Sequence, residues 1–250
     1  MHYRTTMTCY CFILSTAVAA AAPVQTMNVA FPSGAETIGG YLAAPSANGV
    51  YPAIVVIHDD WGLTDWVKEQ ARRLADEGYV ALAVDLYRGQ VAHDPELAYD
   101  LMVSVPPDRA FQDLEAAIHF LAARPDVNKE KIGSIGWSEG GKWSLMLAVR
   151  DPFLSACVAN YGATPTDPAE IQKIRAPVLG IYGAEDRYVS VSDVGAFEDA
   201  MRGAHKSIEV HVYPRAGHDF ENSESKLDYH EAAAEDAWQR TVAFLNRHMK

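Results

Sequence analysis

The sequence predicts an α/β fold, a mostly parallel sheet of about eight strands with helices on both faces. Three observations carry this. Continuous apolar runs such as Tyr51–His58 (YPAIVVIH) and Tyr79–Val84 (YVALAV) suit strands buried on both sides. Segments with apolar residues at helical spacing separate these runs. The composition, 49% apolar and 22% charged with 17 Gly and 13 Pro, is globular and excludes disordered, collagenous and low-complexity classes.

In chain order, residues 1–22 read as an export signal and not as part of the fold. Arg4 is the only formal charge before the apolar run Cys9–Ala22, Ala19–Ala22 offer small-residue exits, and Pro23 closes the segment. The run falls short of the about 20 strongly apolar residues of a membrane span, so no stable membrane insertion is expected once it is removed. The expected working chain is residues 23–250, a single domain without repeat or linker, exported to the periplasm or secreted. Of three cysteines, Cys9, Cys11 and Cys157, only Cys157 stays in it, which leaves no intramolecular disulfide.

Gln25–Ala30 and Thr37–Ala43 resemble a leading antiparallel hairpin. The strand Tyr51–His58 runs into the turn Asp59-Asp60-Trp61-Gly62. A helix follows in which Val67, Ala71, Leu74 and Ala75 share a face, stopped by Gly78. After the strand Tyr79–Val84 the chain is irregular from Arg88 to Pro107, with a short helix around Pro95–Met102. Pro107 and Asp108 start a helix that aligns Ala110, Leu114, Ala117, Ile118 and Leu121. The strand Lys131–Gly136 leads straight into a helix over Glu139–Arg150. Leu154–Asn160, Pro177–Tyr182 and Ile208–Tyr213 are further strands, with a helix over Ser192–Arg202 between the last two. The final helix, Tyr229–His248, buries Ala234, Trp238, Val242 and Leu245. Ligands of such sheets bind at the carboxyl ends of strands, and the chemically distinctive residues of this chain lie just there.

Gly136-Trp137-Ser138-Glu139-Gly140 is a G-x-S-x-G turn between a predicted strand and a predicted helix, the context in which this motif exposes a nucleophilic serine. Gly136–Lys142 also fits the start of a phosphate-binding loop, but Trp143 stands where that loop needs Ser or Thr for magnesium. A serine needs a base, and the base needs an orienting acid. For an elbow of this kind they follow the serine in the order acid, then histidine. Asp186 and His218 follow successive strands in that order, with Glu185 as the alternative acid. His58 also ends a strand but precedes the serine, and is expected to shape its own loop. The backbone N–H groups of Asp60 and Glu139 are the candidate oxyanion donors. No H-x-x-x-H or cysteine cluster is present, so no metal and no cofactor is expected. The net charge of −12, from 33 acids against 21 Lys and Arg, opposes binding of nucleic acid or anionic lipid.

From Pro52 to the last helix, the blocks VVIHDDWGL (Val55–Leu63), ARRLADEGYVALAVDLY (Ala71–Tyr87), IGWSEGG (Ile135–Gly141), YGAEDRYV (Tyr182–Val189) and YPRAGHDF (Tyr213–Phe220) resemble the dienelactone hydrolase family of the α/β-hydrolases. The resemblance implies the α/β-hydrolase fold and a hydrolase of esters or lactones with Ser138, Asp186 and His218 as its triad. The best-known members have cysteine where Ser138 stands, and a glutamate where Asp59 stands. Their dienelactone enzymes clamp a substrate carboxylate with two arginines, at positions that here hold Gly89, beside Arg88, and Asn222. With Asp59, Asp60, Glu139, Asp219 and Glu221 nearby, an acidic mouth is expected, unsuited to anionic lactones. The expected reaction is cleavage of a small carboxylic ester or neutral lactone through an acyl-enzyme. Trp61, Tyr87, Tyr161 and Phe220 are candidate walls of an apolar pocket or, equally, core residues. The alternatives are a binding protein that has kept the fold without its chemistry, and a small peptidase.

Overall fold

The computed structural model describes residues 23–250; the expected export segment, residues 1–22, lies outside the described residues. In chain order the elements are β1 (Val24–Ser33), β2 (Glu36–Pro45), β3 (Tyr51–Ile57), α1 (Asp65–Asp76), β4 (Val80–Val84), α2 (Pro95–Val103), α3 (Pro107–Ala122), β5 (Val127–Trp137), α4 (Glu139–Arg150), β6 (Cys157–Asn160), α5 (Pro168–Lys173), β7 (Val178–Gly183), α6 (Val191–Gly203), β8 (Ile208–Tyr213) and α7 (Glu231–Met249). One sheet of eight strands results, in the order β1-β2-β4-β3-β5-β6-β7-β8. The β1–β2 hairpin is antiparallel and joins β4 antiparallel; from β4 to β8 every pairing is parallel.

The central strands read as unbroken apolar runs because both of their faces are covered. Along β3, Ala53, Val55 and Ile57 belong to the core on one face with residues of α3 and α4, whereas Ile54 and Val56 belong to the core on the other face with residues of α1 and α7. Each such fully buried branched side chain contributes about 1.5–3 kcal/mol from its removal from water. The path of the chain places the site. From β3 it passes through α1 to β4 on one side, then returns through α3 to β5 on the other side of β3. That reversal opens a crevice at the carboxyl ends of β3 and β5.

Several boundaries differ from the sequence pattern. β5 begins at Val127, not Lys131, because Val127 pairs with Tyr51 of β3 ahead of a bulge; the exposed Asn128, Lys129 and Glu130 give no apolar signal. β6 is only Cys157–Asn160, since a turn from Asp151 to Leu154 precedes it; the apolar Leu154 marks burial and not extended pairing. α5, capped by the Asp167 side chain, was not expected; at six residues it is too short to show a periodicity. α7 starts at Glu231 behind a His230 cap, and its buried stripe runs through Ala233, Ala237, Trp238, Thr241, Phe244 and Leu245. Ala234 and Val242 lie at the edge of that stripe, only half-buried. No described helix is long and apolar enough to cross a membrane.

Candidate active site

β5 and α4 are joined by one residue. Ser138 takes φ 52° and ψ −118°, a backbone conformation that costs an L-residue about 1–3 kcal/mol and persists only where the surroundings impose it. Here they do. The Ser138 N–H donates to the Asn160 carbonyl at 3.0 Å, and the Asn160 side-chain amide donates to the Gly136 carbonyl at 3.0 Å. A Cβ on Gly136 would lie 2.1 Å from the Gly140 carbonyl oxygen, and one on Gly140 would lie 2.3 Å from the Ile57 oxygen. The end of β3, the elbow and the first turn of α4 are therefore in direct backbone contact, and the motif needs its glycines for that reason.

His218 Nε2 lies 2.7 Å from Ser138 Oγ, and its Nδ1 lies 2.8 Å from Asp186 Oδ2. The other oxygen of Asp186 accepts the N–H groups of Tyr188 and Val189 at 2.7 and 3.0 Å. An ionised carboxylate only accepts, so Nδ1 carries the proton and the Nε2 lone pair faces the serine hydroxyl. Burial acts to raise the Asp186 pKa, but the bond from His218 and the two backbone donors outweigh it and hold the group below its usual value. For His218 burial acts to lower the pKa; the Asp186 bond and the charges of Asp219 and Asp60 prevail and hold it above. Glu185, the alternative acid, is exposed, and its side chain makes no bond to His218.

The Asp59–Gly62 turn faces the elbow from the end of β3. Among the described residues, neither the Asp60 N–H nor the Glu139 N–H donates to another group, which leaves both free for a ligand. His58 does not compete with His218 for the serine. It is buried, with Nδ1 2.6 Å from the Asp59 carbonyl oxygen and Nε2 accepting the Leu86 N–H at 3.3 Å. Burial, first of all, keeps its pKa low, despite the Asp59 carbonyl and the charges of Asp85 and Asp60.

A small cleft beside the turn is lined by His58, Asp59, Leu86, Tyr87, Met102, Val105, Glu139 and Trp143. Of the four expected pocket walls, only Tyr87 lines it. Phe220 is fully buried between Tyr161 and Tyr213, and is a packing residue. Tyr161 is buried edge-on against His218, with ring centroids 5.1 Å apart, and supports the imidazole. Trp61 is half-buried against the core on the α3 side, and its carbonyl accepts the Ala92 N–H. In the sequence Trp143 counted only against a phosphate-binding loop; its place one helical turn after Glu139 is the signal that would have assigned it to the cleft. Met102 and Val105 gave none, since α2 and the bend after it bring them to the cleft. Tyr188, 81% exposed, flanks His218 on the solvent side at 4.9 Å.

The expected acidic mouth is also corrected. Asp59 is buried, and its carboxyl is raised well above the usual range by that burial and then by Asp60 and Asp219. Glu221 lies beneath the site, accepts the Trp137 indole N–H at 3.4 Å, and is pushed by burial to about 8. Asp219 is raised to about 6, again chiefly by burial. Glu139 is paired with Lys142 at 2.8 Å. Of the five acids, Asp59 and the Glu221 carboxyl are buried, Asp219 is largely enclosed and Glu139 is paired, so the mouth is less acidic than the composition implies. No group of three or more His, Cys, Asp or Glu among the described residues has a metal-holding arrangement.

The chain matches the dienelactone hydrolase family over residues 38–249. It is 32% identical over 232 residues to a Yersinia pestis protein provisionally named a carboxymethylenebutenolidase, covering 87% of this chain and 86% of that one. It is 33% identical over 229 residues to a Salmonella typhimurium protein of the same provisional name, covering 86% and 84%. Among solved structures it is similar to a provisionally named dienelactone hydrolase of Klebsiella pneumoniae, with a TM-score of 0.83 and 31% identity, over 90% of this chain and 99% of the other.

Proposed function

The chain belongs to the dienelactone hydrolase family, and from that premise we propose that it is a serine hydrolase of small carboxylic esters or neutral lactones. The observation that carries this reading is the continuous relay from Ser138 Oγ through His218 to Asp186, with contacts of 2.7 and 2.8 Å. In the forward step Ser138 Oγ attacks the ester carbonyl carbon while His218 Nε2 takes the hydroxyl proton. The oxyanion that forms accepts the Asp60 and Glu139 N–H groups, the latter at the positive end of α4. His218 then gives its proton to the departing alkoxide, leaving an acyl-serine. Water then reacts by the same route: His218 removes its proton as the water oxygen bonds to the acyl carbon, the oxyanion collapses with cleavage of the bond to Ser138 Oγ, His218 returns the proton to that oxygen, and the carboxylic acid leaves. Asp186 holds the Nδ1–H tautomer throughout and stabilises the imidazolium.

Three features support a neutral substrate with a short acyl group. Gly89 and Asn222 supply no guanidinium. Arg88, the nearest candidate, is held away by Asp113 at 2.7 Å and Glu36 at 3.0 Å. The cleft is small and its apolar lining is Leu86, Tyr87, Met102, Val105 and Trp143. The test is turnover of p-nitrophenyl acetate and butyrate by wild type and Ser138→Ala. We expect kcat to fall by about 10⁶-fold, as for other serine nucleophiles; equal turnover would sink the serine mechanism. We place the working protein outside the cytoplasm, on the charge and apolar pattern of residues 1–22. N-terminal sequencing of protein from the periplasm or medium should begin between Ala20 and Pro23; a cytoplasmic protein beginning at Met1 would contradict this.

A further inference from the structure

We propose that His58 is a positioning residue that aims the oxyanion-binding N–H of Asp60. The inference rests on the serine-hydrolase reading above and assigns a role to the second histidine of the site, which takes no part in proton transfer there.

Both ring nitrogens of His58 are committed. Nδ1 faces a carbonyl oxygen, which only accepts, so it carries the proton. Nε2 faces the Leu86 N–H, which only donates, so it holds the lone pair. The ring is therefore a neutral strut between the turn after β3 and the loop after β4, steadied edge-on by Tyr87 with centroids 4.5 Å apart. A buried group in this setting neither gives nor takes a proton in the reaction.

The strut ends on one particular peptide group. The Asp59 carbonyl and the Asp60 N–H belong to the same planar trans unit, so they point in opposite directions. Fixing the carbonyl fixes the N–H. The turn's own bond to that oxygen, from the Gly62 N–H, is 3.4 Å long, against 2.6 Å from His58. The carboxylate of Asp59 bonds elsewhere, to the Trp61 N–H at 2.9 Å, and orients the next peptide instead. Without His58 the Asp59–Asp60 peptide would be held by the long turn bond alone and could rotate. Its N–H would then leave the orientation that the proposed oxyanion site requires. On the other side the turn is braced by the elbow, because the Ile57 and His58 carbonyls touch Gly140. The His58 side chain thus controls the one plane in this wall that the backbone packing does not.

This role separates the two nitrogens, and two amide isosteres test it. Asn places its amide near the Nδ1 position and keeps a donor to Asp59. Gln places its amide near Nε2 and keeps only the acceptor for Leu86. With p-nitrophenyl acetate, His58→Gln and His58→Ala should lose about 10²-fold in kcat, the scale of one lost oxyanion donor, with little change in KM. His58→Asn should recover most of that loss relative to His58→Ala. Rates are referred to folded protein by circular dichroism, so a partly unfolded variant does not pass for a slow one. Equal kcat in His58→Asn and His58→Gln, or a loss confined to KM, would overturn the inference and leave the serine mechanism standing. Absence of Ser138-dependent turnover in the wild type would remove both.

Discussion

On the β3–β5 side of the crevice the groups assigned to the proposed oxyanion site are backbone: the N–H of Asp60, the N–H of Glu139 and, beside them, the strained peptide of Ser138. They are held by carbonyls that sit where the missing side chains of Gly136 and Gly140 would be. On the β7–β8 side the working groups are side chains, Asp186 and His218, carried by loops that follow a buried strand and a half-buried edge strand. Their neighbours, Glu185 and Tyr188, are exposed. The comparison separates two kinds of control. The backbone half is set by steric contact and tolerates no added atom, whereas the side-chain half is set by charge and is open to tuning.

The largest test of that division falls on the side-chain half. Asp186→Asn should lower kcat by about 10⁴-fold, as loss of the correct histidine tautomer does in other triads, while the fold is kept. Glu185→Gln should leave kcat unchanged; an equal loss in both would mean that the two acids share the role. Next is the backbone half. Gly140→Ala forces a Cβ against the Ile57 and His58 carbonyl oxygens and should destabilise by about 1–3 kcal/mol or more. Gly195→Ala, in α6 where a Cβ meets nothing within 4 Å, should instead stabilise by about 0.5–1 kcal/mol. Thermal melts of the two would read the difference, and a Gly140→Ala protein melting with the wild type would erase the contrast.

The smallest effect concerns pH. His218 must be neutral to act as base, so kcat/KM falls as the pH drops through its pKa. That pKa lies above the ordinary value of about 6.5, so the acid limb should be centred above pH 6.5. Asp219 is one of the charges that raise it. Asp219→Asn should move the limb to lower pH, and a limb that stays in place would show that Asp186 and Asp60 set it without Asp219.

How much of this was legible in the sequence follows the same division. Ser138, Asp186 and His218 were legible because each stands directly after a strand, in an order and a turn context that few other sequences satisfy. The elbow's glycines were legible for the same reason. The choice of Asp186 left Glu185 open as its rival, because adjacent residues in a loop differ only in which way the chain turns them. The function of His58 was hidden as well, since its partners are a carbonyl and an N–H, and backbone groups leave no mark in a sequence. The aromatics stayed open between pocket wall and core: Phe220 and Tyr161 have the composition of either, and whether a ring faces a cleft or a core depends on packing with neighbours such as Tyr213 of β8. The acidic mouth failed on burial. Asp59 and Glu221 count as charges in a sequence, yet the fold encloses them, and that burial raises the pKa of both.

Gly89 bears on how the substrate range of this protein can change over time. Its N–H is bonded to Asp85 at 2.5 Å, its φ is 89°, and a Cβ placed there would meet nothing within 4 Å. There is open space for a first side-chain atom, but the backbone angle there costs any L-residue about 1–2 kcal/mol. A single mutation at this codon therefore meets a conformational toll before it gains a ligand, and relief requires a second change in the loop that Asp85 organises. On the proposed neutral-substrate reading, placing a cationic side chain here therefore takes two changes and not one, and the glycine favours keeping this rim of the site uncharged.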